Sequence, residues 1–176
     1  MKLILSGLSH KTAPVGLREK LAIPEAALPQ ALRELQRCGA SEAVILSTCN
    51  RVEFVLSVPQ DADANDIVDR FLAEWNFPGV SPTDLVSHVY KHESTDAIHH
   101  LYRVASSLDS MVVGEPQILG QLKAAYAAAQ AEGTVGGLLE LVLTRAFSVA
   151  KRVRTETGIG QMAVSISYAA VELAHS

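Results

Sequence analysis

The sequence predicts an α+β domain with an antiparallel sheet, and three observations predict it. Short apolar runs of strand type crowd the stretch before Pro59. From Ser94 onward the chain carries long segments of helical periodicity, and strands first with helices later is the order of an α+β domain. Hydrophobic residues make up 48% of the 176 residues, ample for a core that rests on Leu, Val, Ile and Ala, because aromatics are only 5%. The length fits one domain, with room for part of another.

Each element has its own signal. Leu3–Leu8 is a short apolar run bounded by Ser9-His10-Lys11 and predicts a first strand. Leu28–Arg37 sets Leu28, Ala31, Leu32 and Leu35 at helical spacing, with Gly39 as the stop. Pro29 leaves the start of that helix open, since proline lacks an amide hydrogen and clashes inside a helix. Ala43–Leu46 predicts a second strand. Val52, Phe54, Leu56 and Val58 alternate with Glu53, Val55 and Ser57, which predicts a third strand with one face buried. Asp63–Trp75 reads as an amphipathic helix, Ser81-Pro82 as an N-cap followed by proline at the first helical position, and Val89-Tyr90 as a short fourth strand. Ser94 or Thr95 can cap a helix reaching about Ser106. Further helices are predicted over Gln117–Glu132, ended by Gly133, and over Gly137–Glu156; Gly158 and Gly160 break the pattern before a last helix over Ser165–Ala174. A final helix with nothing to pack on predicts that these residues belong to a longer chain.

Composition narrows the function. A formal net charge of -4 argues against a surface coated in positive charge for unspecific nucleic-acid binding, while leaving room for a local basic face. Two cysteines are too few for a disulfide scaffold. Met1-Lys2 leads into a short apolar run and then polar residues, which is no signal peptide, and no apolar stretch is long enough to cross a bilayer. A soluble, reducing, cytoplasmic setting is expected. No Cys/His spacing resembles a zinc site, so no metal is expected, and no GxGxxG or GxxxxGK loop appears, so no cofactor site is expected within these residues.

Between the second and third strands lies Ser47-Thr48-Cys49-Asn50-Arg51. A cysteine is nucleophilic as its thiolate, which a nearby cation favours, and Arg51 is two residues away and permanently charged. In an extended segment those two side chains point the same way. On spacing alone, a buried structural cysteine is the more frequent outcome. Cys38 reads as structural. His99 and His100 lie about 100° apart on a helix, and His100 falls beside the apolar positions Ala97, Leu101 and Val104, so His100 is the better inward partner. A histidine can polarise a carbonyl, orient a thiolate or relay a proton, although spacing alone leaves a packed or surface histidine ahead. Ser110, Glu115, Gln117 and Gln121 form a polar group around Gly114-Glu115-Pro116, with the two glutamines on one helix face; they suit a small polar ligand or plain helix capping. Arg145, Lys151, Arg152 and Arg154 crowd one helix, as phosphate contacts or as a solvated face.

Four segments together resemble the glutamyl-tRNA reductase family: Gly7-Leu8-Ser9-His10-Lys11-Thr12-Ala13-Pro14 with Leu17-Arg18-Glu19; Leu46 to Arg51 with Glu53; Leu108 to Gln121; and Ala150 to Thr157. Any one is weak; four in register are specific and reverse the odds for Cys49. The resemblance implies a ferredoxin-like sheet with packed helices, followed by long helices leading to a nucleotide-binding domain. Residues 1–158 would be the catalytic domain, and residues 159–176 would lead into an NADPH-binding domain. It implies Cys49 as nucleophile, His100 as a second catalytic residue, and Thr48, Asn50, Arg51, Ser110, Glu115, Pro116, Gln117 and Gln121 as substrate contacts. The implied reaction is reduction of glutamyl-tRNA to glutamate-1-semialdehyde by NADPH through a thioester, feeding 5-aminolevulinate and tetrapyrrole synthesis. A homodimer and hand-off to glutamate-1-semialdehyde aminotransferase are implied for the full-length enzyme. Arg51 would offer its fork to a substrate carboxylate and so help choose glutamate over glutamine. Ser9 stands where the family usually has Asn, and Ser107 where it usually has Gly. Two alternatives stay open: another thiol acyltransferase or hydrolase built on Cys49 and His100, and a non-catalytic tRNA-binding module using the Arg145–Arg154 helix.

Overall fold

A computed structural model describes residues 1–161 and 166–175. Four strands, β1 (Lys2–Ser9), β2 (Glu42–Ser47), β3 (Arg51–Val58) and β4 (Tyr90–Glu93), form one sheet in the order β2-β3-β1-β4, with every neighbouring pair antiparallel. Helices α1 (Val15–Leu21) and α2 (Leu28–Arg37) connect β1 to β2, and α3 (Ala64–Glu74) and α4 (Pro82–His88) connect β3 to β4. That is the ferredoxin-like βαββαβ arrangement. Then come α5 (Ser94–Ala105), α6 (Gln117–Glu132), α7 (Leu138–Glu156), a 3₁₀ turn at Gly158–Gln161 and α8 (Ile166–His175). Ser165, the expected start of the last helix, lies outside the described residues.

Register assigns the faces. Paired residues share a face, so Ile4, Ser6 and Leu8 lie with Val52, Phe54 and Leu56, where Phe54 meets Phe71 of α3 edge-on at 5.2 Å. Leu3, Leu5 and Gly7 lie with Glu53, Val55 and Ser57 on the other face, which α5 and α7 cover. The expectation that β3 buries one face is therefore corrected: all eight of its residues are buried, because the helices after β4 return across the face that the alternation left polar. Gly7 marks how close the packing is there. A Cβ on it would sit 2.2 Å from the Val52 carbonyl oxygen and 2.8 Å from the Glu53 Cα, so no side chain fits opposite Glu53.

Local signals set the helix ends. Pro29 falls within the first turn of α2, where its missing N–H has no partner to lose. Ser81 and Asp84 form a capping box for α4, and Gly133 ends α6 at φ 71°. The expected cap of α5 is different: Ser94 is already in the helix at φ 50°, and Glu93 precedes it without a side-chain cap. The N-terminus of α7 is capped from afar, by Glu42 of β2, whose carboxylate accepts the N–H groups of Gly136 (3.0 Å), Gly137 (2.6 Å) and Leu139 (3.2 Å). A negative charge at that end also suits the helix dipole. No helix among the described residues is long and apolar enough to cross a membrane.

Candidate active site

Ser47 pairs with Val52, so Thr48, Cys49, Asn50 and Arg51 form the tip of the β2–β3 hairpin. The Thr48 N–H donates to the Arg51 carbonyl at 2.8 Å, and the Asn50 and Arg51 N–H groups both donate to Thr48 Oγ1 at 3.2 Å. The His10 N–H donates to the Asn50 carbonyl at 2.8 Å. The tip is a tight turn rather than an extended segment, so Cys49 and Arg51 part company. Cys49 is exposed at the apex, while Arg51, the first residue of β3, is 1% exposed.

A small cleft opens beside the apex. The hairpin supplies Thr48, Cys49, Asn50 and Arg51; the segment between α5 and α6 supplies Ser110, Met111 and Glu115; the start of α6 supplies Gln117, Ile118 and Gln121. Sequence reasoning missed Met111 and Ile118, the apolar part of the wall, because a lone Met and a lone Ile carry no chemical signal. Pro116 precedes α6 as its N-cap and does not line the cleft. His100 does not line it either.

His100 lies behind the cleft in a buried network centred on Glu53, which is 0% exposed. Glu53 Oε1 accepts from Arg51 Nη1 at 2.7 Å, from His100 Nε2 at 2.8 Å and from the Tyr90 hydroxyl, while its Oε2 is buried without a partner. Arg51 Nη2 donates to Asp109 at both the backbone carbonyl (2.6 Å) and Oδ2 (3.0 Å), and Lys11 Nζ donates to Asp109 Oδ1 at 2.7 Å. His92 stacks on His100 at 4.8 Å. Two cations, Lys11 and Arg51, thus meet two carboxylates, Glu53 and Asp109. The Arg51 fork is engaged inside the protein, so it is not a guanidinium waiting for an anionic substrate. Glu53, Tyr90 and Asp109 were absent from the expected site; Glu53 at a polar position of an alternating strand gave the same signal as a solvated residue.

Burial on its own would raise the Glu53 pKa, but the His100 hydrogen bond and the Arg51 charge hold it below the usual carboxylate range. Asp109 is likewise held down: burial opposes ionisation, and hydrogen bonds from Lys11 and Arg51 outweigh it. Burial lowers His10, helped by the Arg51 charge, and lowers His92, helped by His100. Burial and the Glu53 charge push Tyr90 well above the usual phenol range, so it remains a donor.

These shifts predict acid destabilisation in two stages. His10 and His92 bind protons less readily folded than unfolded, so the unfolded chain takes up protons first as pH falls through the ordinary histidine value of 6.5. Glu53 and Asp109 contribute stability that is complete above their ordinary values, 4.5 and 3.8, and is lost as pH falls through their lower folded values. The melting temperature is expected to drop between about pH 7.5 and about pH 5.5 and again below about pH 4. His92→Gln should flatten the first drop; a melting temperature unchanged across the first interval would contradict the assignment.

The loop from Ser106 to Pro116 carries Asp109, Ser110 and Glu115. Ser107 sits at φ 62°, the left-handed region that favours glycine, so a glycine would adopt this backbone at less cost. Here the Ser107 hydroxyl donates to the Glu115 carbonyl at 2.5 Å and its own carbonyl accepts the Gly114 N–H at 3.0 Å, closing the loop.

Other candidates fall elsewhere. Cys38 is buried behind α2 with Glu34 and Glu74, a grouping in which Arg37 donates to both carboxylates. Burial first, then the charges of Glu74 and Glu34, raise its thiol pKa. On α7, Arg152 is paired with Glu156 and Arg154 donates to the Gly114 carbonyl at 3.0 Å, leaving Arg145 and Lys151 exposed.

The sequence model described as "Glutamyl-tRNAGlu reductase, N-terminal domain" matches residues 6–157. The chain belongs to the glutamyl-tRNA reductase family. Its similarity to "Glutamyl-tRNA reductase" of Solibacter usitatus is 63% identity over 175 residues, covering 99% of this chain and 41% of that protein. With "Glutamyl-tRNA reductase" of Geobacter metallireducens it is 53% over 175 residues, covering 99% and 40%. The solved "Glutamyl-tRNA Reductase from Methanopyrus kandleri" superposes with a TM-score of 0.74 at 38% identity, covering 98% of this chain and 39% of that one. The glutamyl-tRNA reductase family member described here thus spans about two fifths of the length of the curated relatives it matches.

Proposed function

We propose that this chain is the acyl-accepting, catalytic domain of a glutamyl-tRNA reductase, spanning residues 1–158, with residues 159–176 leading into an NADPH-binding domain. The Cys49 thiolate attacks the ester carbonyl carbon that joins glutamate to the terminal ribose of tRNA. A carbon–sulfur bond forms, the carbon–oxygen bond to the ribose breaks, and the ribose oxygen leaves and takes a proton. The products are uncharged tRNA and a glutamyl thioester on Cys49.

The observation that carries this reading is an exposed cysteine at the apex of a hydrogen-bonded hairpin turn, at the edge of a cleft walled mostly by polar side chains. Asn50, Ser110, Gln117 and Gln121 offer donors and acceptors for the amino and carboxyl groups of one glutamate, and Glu115 offers an anion for its ammonium. Thr48 shapes the turn through its hydroxyl. Pro116 serves the site by starting α6. Arg51 borders the cleft with its charge already balanced by Glu53 and Asp109, so it brings no unmatched cation to it. His100 acts from behind, holding Glu53 ionised and Glu53 holding Arg51.

The reductive half of the family's reaction requires NADPH. Its site is placed in the domain that residues 159–176 lead into, and no step through that cofactor is assigned to residues 1–158. For the full-length enzyme the proposal extends to a cytoplasmic homodimer that passes its aldehyde to glutamate-1-semialdehyde aminotransferase in tetrapyrrole synthesis.

The test is incubation of residues 1–176 with tRNA charged with labelled glutamate. Label that stays with the protein after denaturation and is released by hydroxylamine is expected, with none from free glutamine. Added NADPH is expected to yield no aldehyde from these residues alone. Absence of covalent label, or aldehyde formation without further sequence, would each refute the corresponding half of the proposal.

A further inference from the structure

We propose that Arg18 is a positioning residue for Cys49, acting through the backbone of the hairpin tip; this rests on the reading of Cys49 as nucleophile. Arg18 lies on α1, outside the cleft, and is 8% exposed. Its guanidinium makes two diverging hydrogen bonds, both to backbone: Nε donates to the Cys49 carbonyl at 3.3 Å, and Nη1 donates to the Ala13 carbonyl at 2.8 Å. No carboxylate pairs with it among the described residues, whereas Arg51 pairs with both Glu53 and Asp109, and Lys11 pairs with Asp109. A buried guanidinium with only carbonyl partners is costly to maintain, so the two carbonyls it holds are the candidates for what it does.

The tip itself shows why that bond matters. The Thr48 amide is held by the Arg51 carbonyl, the Asn50 and Arg51 amides by Thr48 Oγ1, and the Asn50 carbonyl by the His10 amide. The Cys49 carbonyl takes part in none of these turn bonds, and Arg18 holds it from α1. The second bond reaches the β1–α1 connection, where the Ala13 N–H donates to the Ser9 carbonyl at 2.9 Å. Arg18 therefore joins β1, α1 and the hairpin apex into one unit. With its carbonyl anchored, the nucleophile retains χ1 as its one soft torsion, and the sulfur swings on a fixed backbone at the edge of the cleft. Proximity effects depend on that kind of fixed geometry.

The experiment follows single-turnover glutamyl transfer from charged tRNA to Cys49, beside iodoacetamide alkylation of Cys49 across pH, in a Cys38→Ser background so that one thiol reacts. Arg18→Ala is expected to slow acyl transfer on the order of 100-fold, the size that an ångström-scale misplacement produces. The tRNA concentration for half saturation should change less than about threefold, and the pH midpoint of alkylation should not move. Arg18→Lys keeps the charge but reaches one carbonyl instead of two, and should fall between the two. Unchanged acyl transfer in Arg18→Ala overturns the proposal. So does a shift in the alkylation midpoint large enough to account for the rate loss, since Arg18 would then activate the thiol by charge. Where Arg18→Ala loses its native circular dichroism, Arg18→Lys decides: parental acyl transfer in that variant overturns the proposal, and a loss with an unmoved alkylation midpoint supports it. Failure of the reading beneath looks different, because the parent itself would then acquire no label on Cys49.

Discussion

Cys49→Ser is expected to leave no hydroxylamine-labile glutamate on the protein, while Cys38→Ser captures it at the parental level. The two thiols differ in everything that governs reactivity. Cys49 is exposed at the apex of a turn and borders the polar cleft. Cys38 is 2% exposed, and burial together with the charges of Glu74 and Glu34 disfavours its thiolate. Serine in place of Cys49 preserves shape but not acidity, and among the described residues no histidine lines the cleft to act as its base. Loss of at least about a thousandfold in capture rate is therefore expected, in line with removal of a covalent nucleophile. Equal capture by the two variants would remove Cys49 from the mechanism, and labelling of Cys38 faster than Cys49 at neutral pH would contradict the exposure argument directly.

Glu53→Gln is the second large effect, on stability first. It preserves volume but removes one of two carboxylates that neutralise Arg51, and Arg51 cannot shed its proton. Breaking a buried pair on one side is expected to destabilise the fold by about 3–5 kcal/mol, read from urea denaturation. Removing both members should be milder than the sum: Arg51→Met with Glu53→Gln leaves Asp109 with Lys11 and strands no buried cation. A cost below about 1 kcal/mol for the single change, or strict additivity in the double, would show that the network does not hold Arg51. Acyl transfer should fall with the single change as well, since Arg51 lines the cleft and Glu53 sets its position.

Local chemistry wrote much of this fold into the sequence. The bounds of α2 and α6 follow from apolar spacing, an early proline and a terminal glycine, all effects that act within a few residues. The hairpin with Cys49 between two strands, the pairing of Gln117 and Gln121 on one helix face and the Ser81 N-cap of α4 with Pro82 after it are legible for the same reason. Periodicity, however, reports only how one element divides its own residues between two sides. It made Glu53 a solvent-facing residue of β3, and only the return of α5 and α7 across that face turned it into a buried hub. Arg51 meets Asp109 across 58 residues and Arg18 meets Cys49 across 31, and nothing within either segment announces its partner. What the sequence by itself determined is which residues can fold locally and which carry reactive groups. Which charges are neutralised, and which backbone the nucleophile stands on, the tertiary structure alone decided, because electrostatic pairing and hydrogen bonding depend on distance in space and not on distance along the chain.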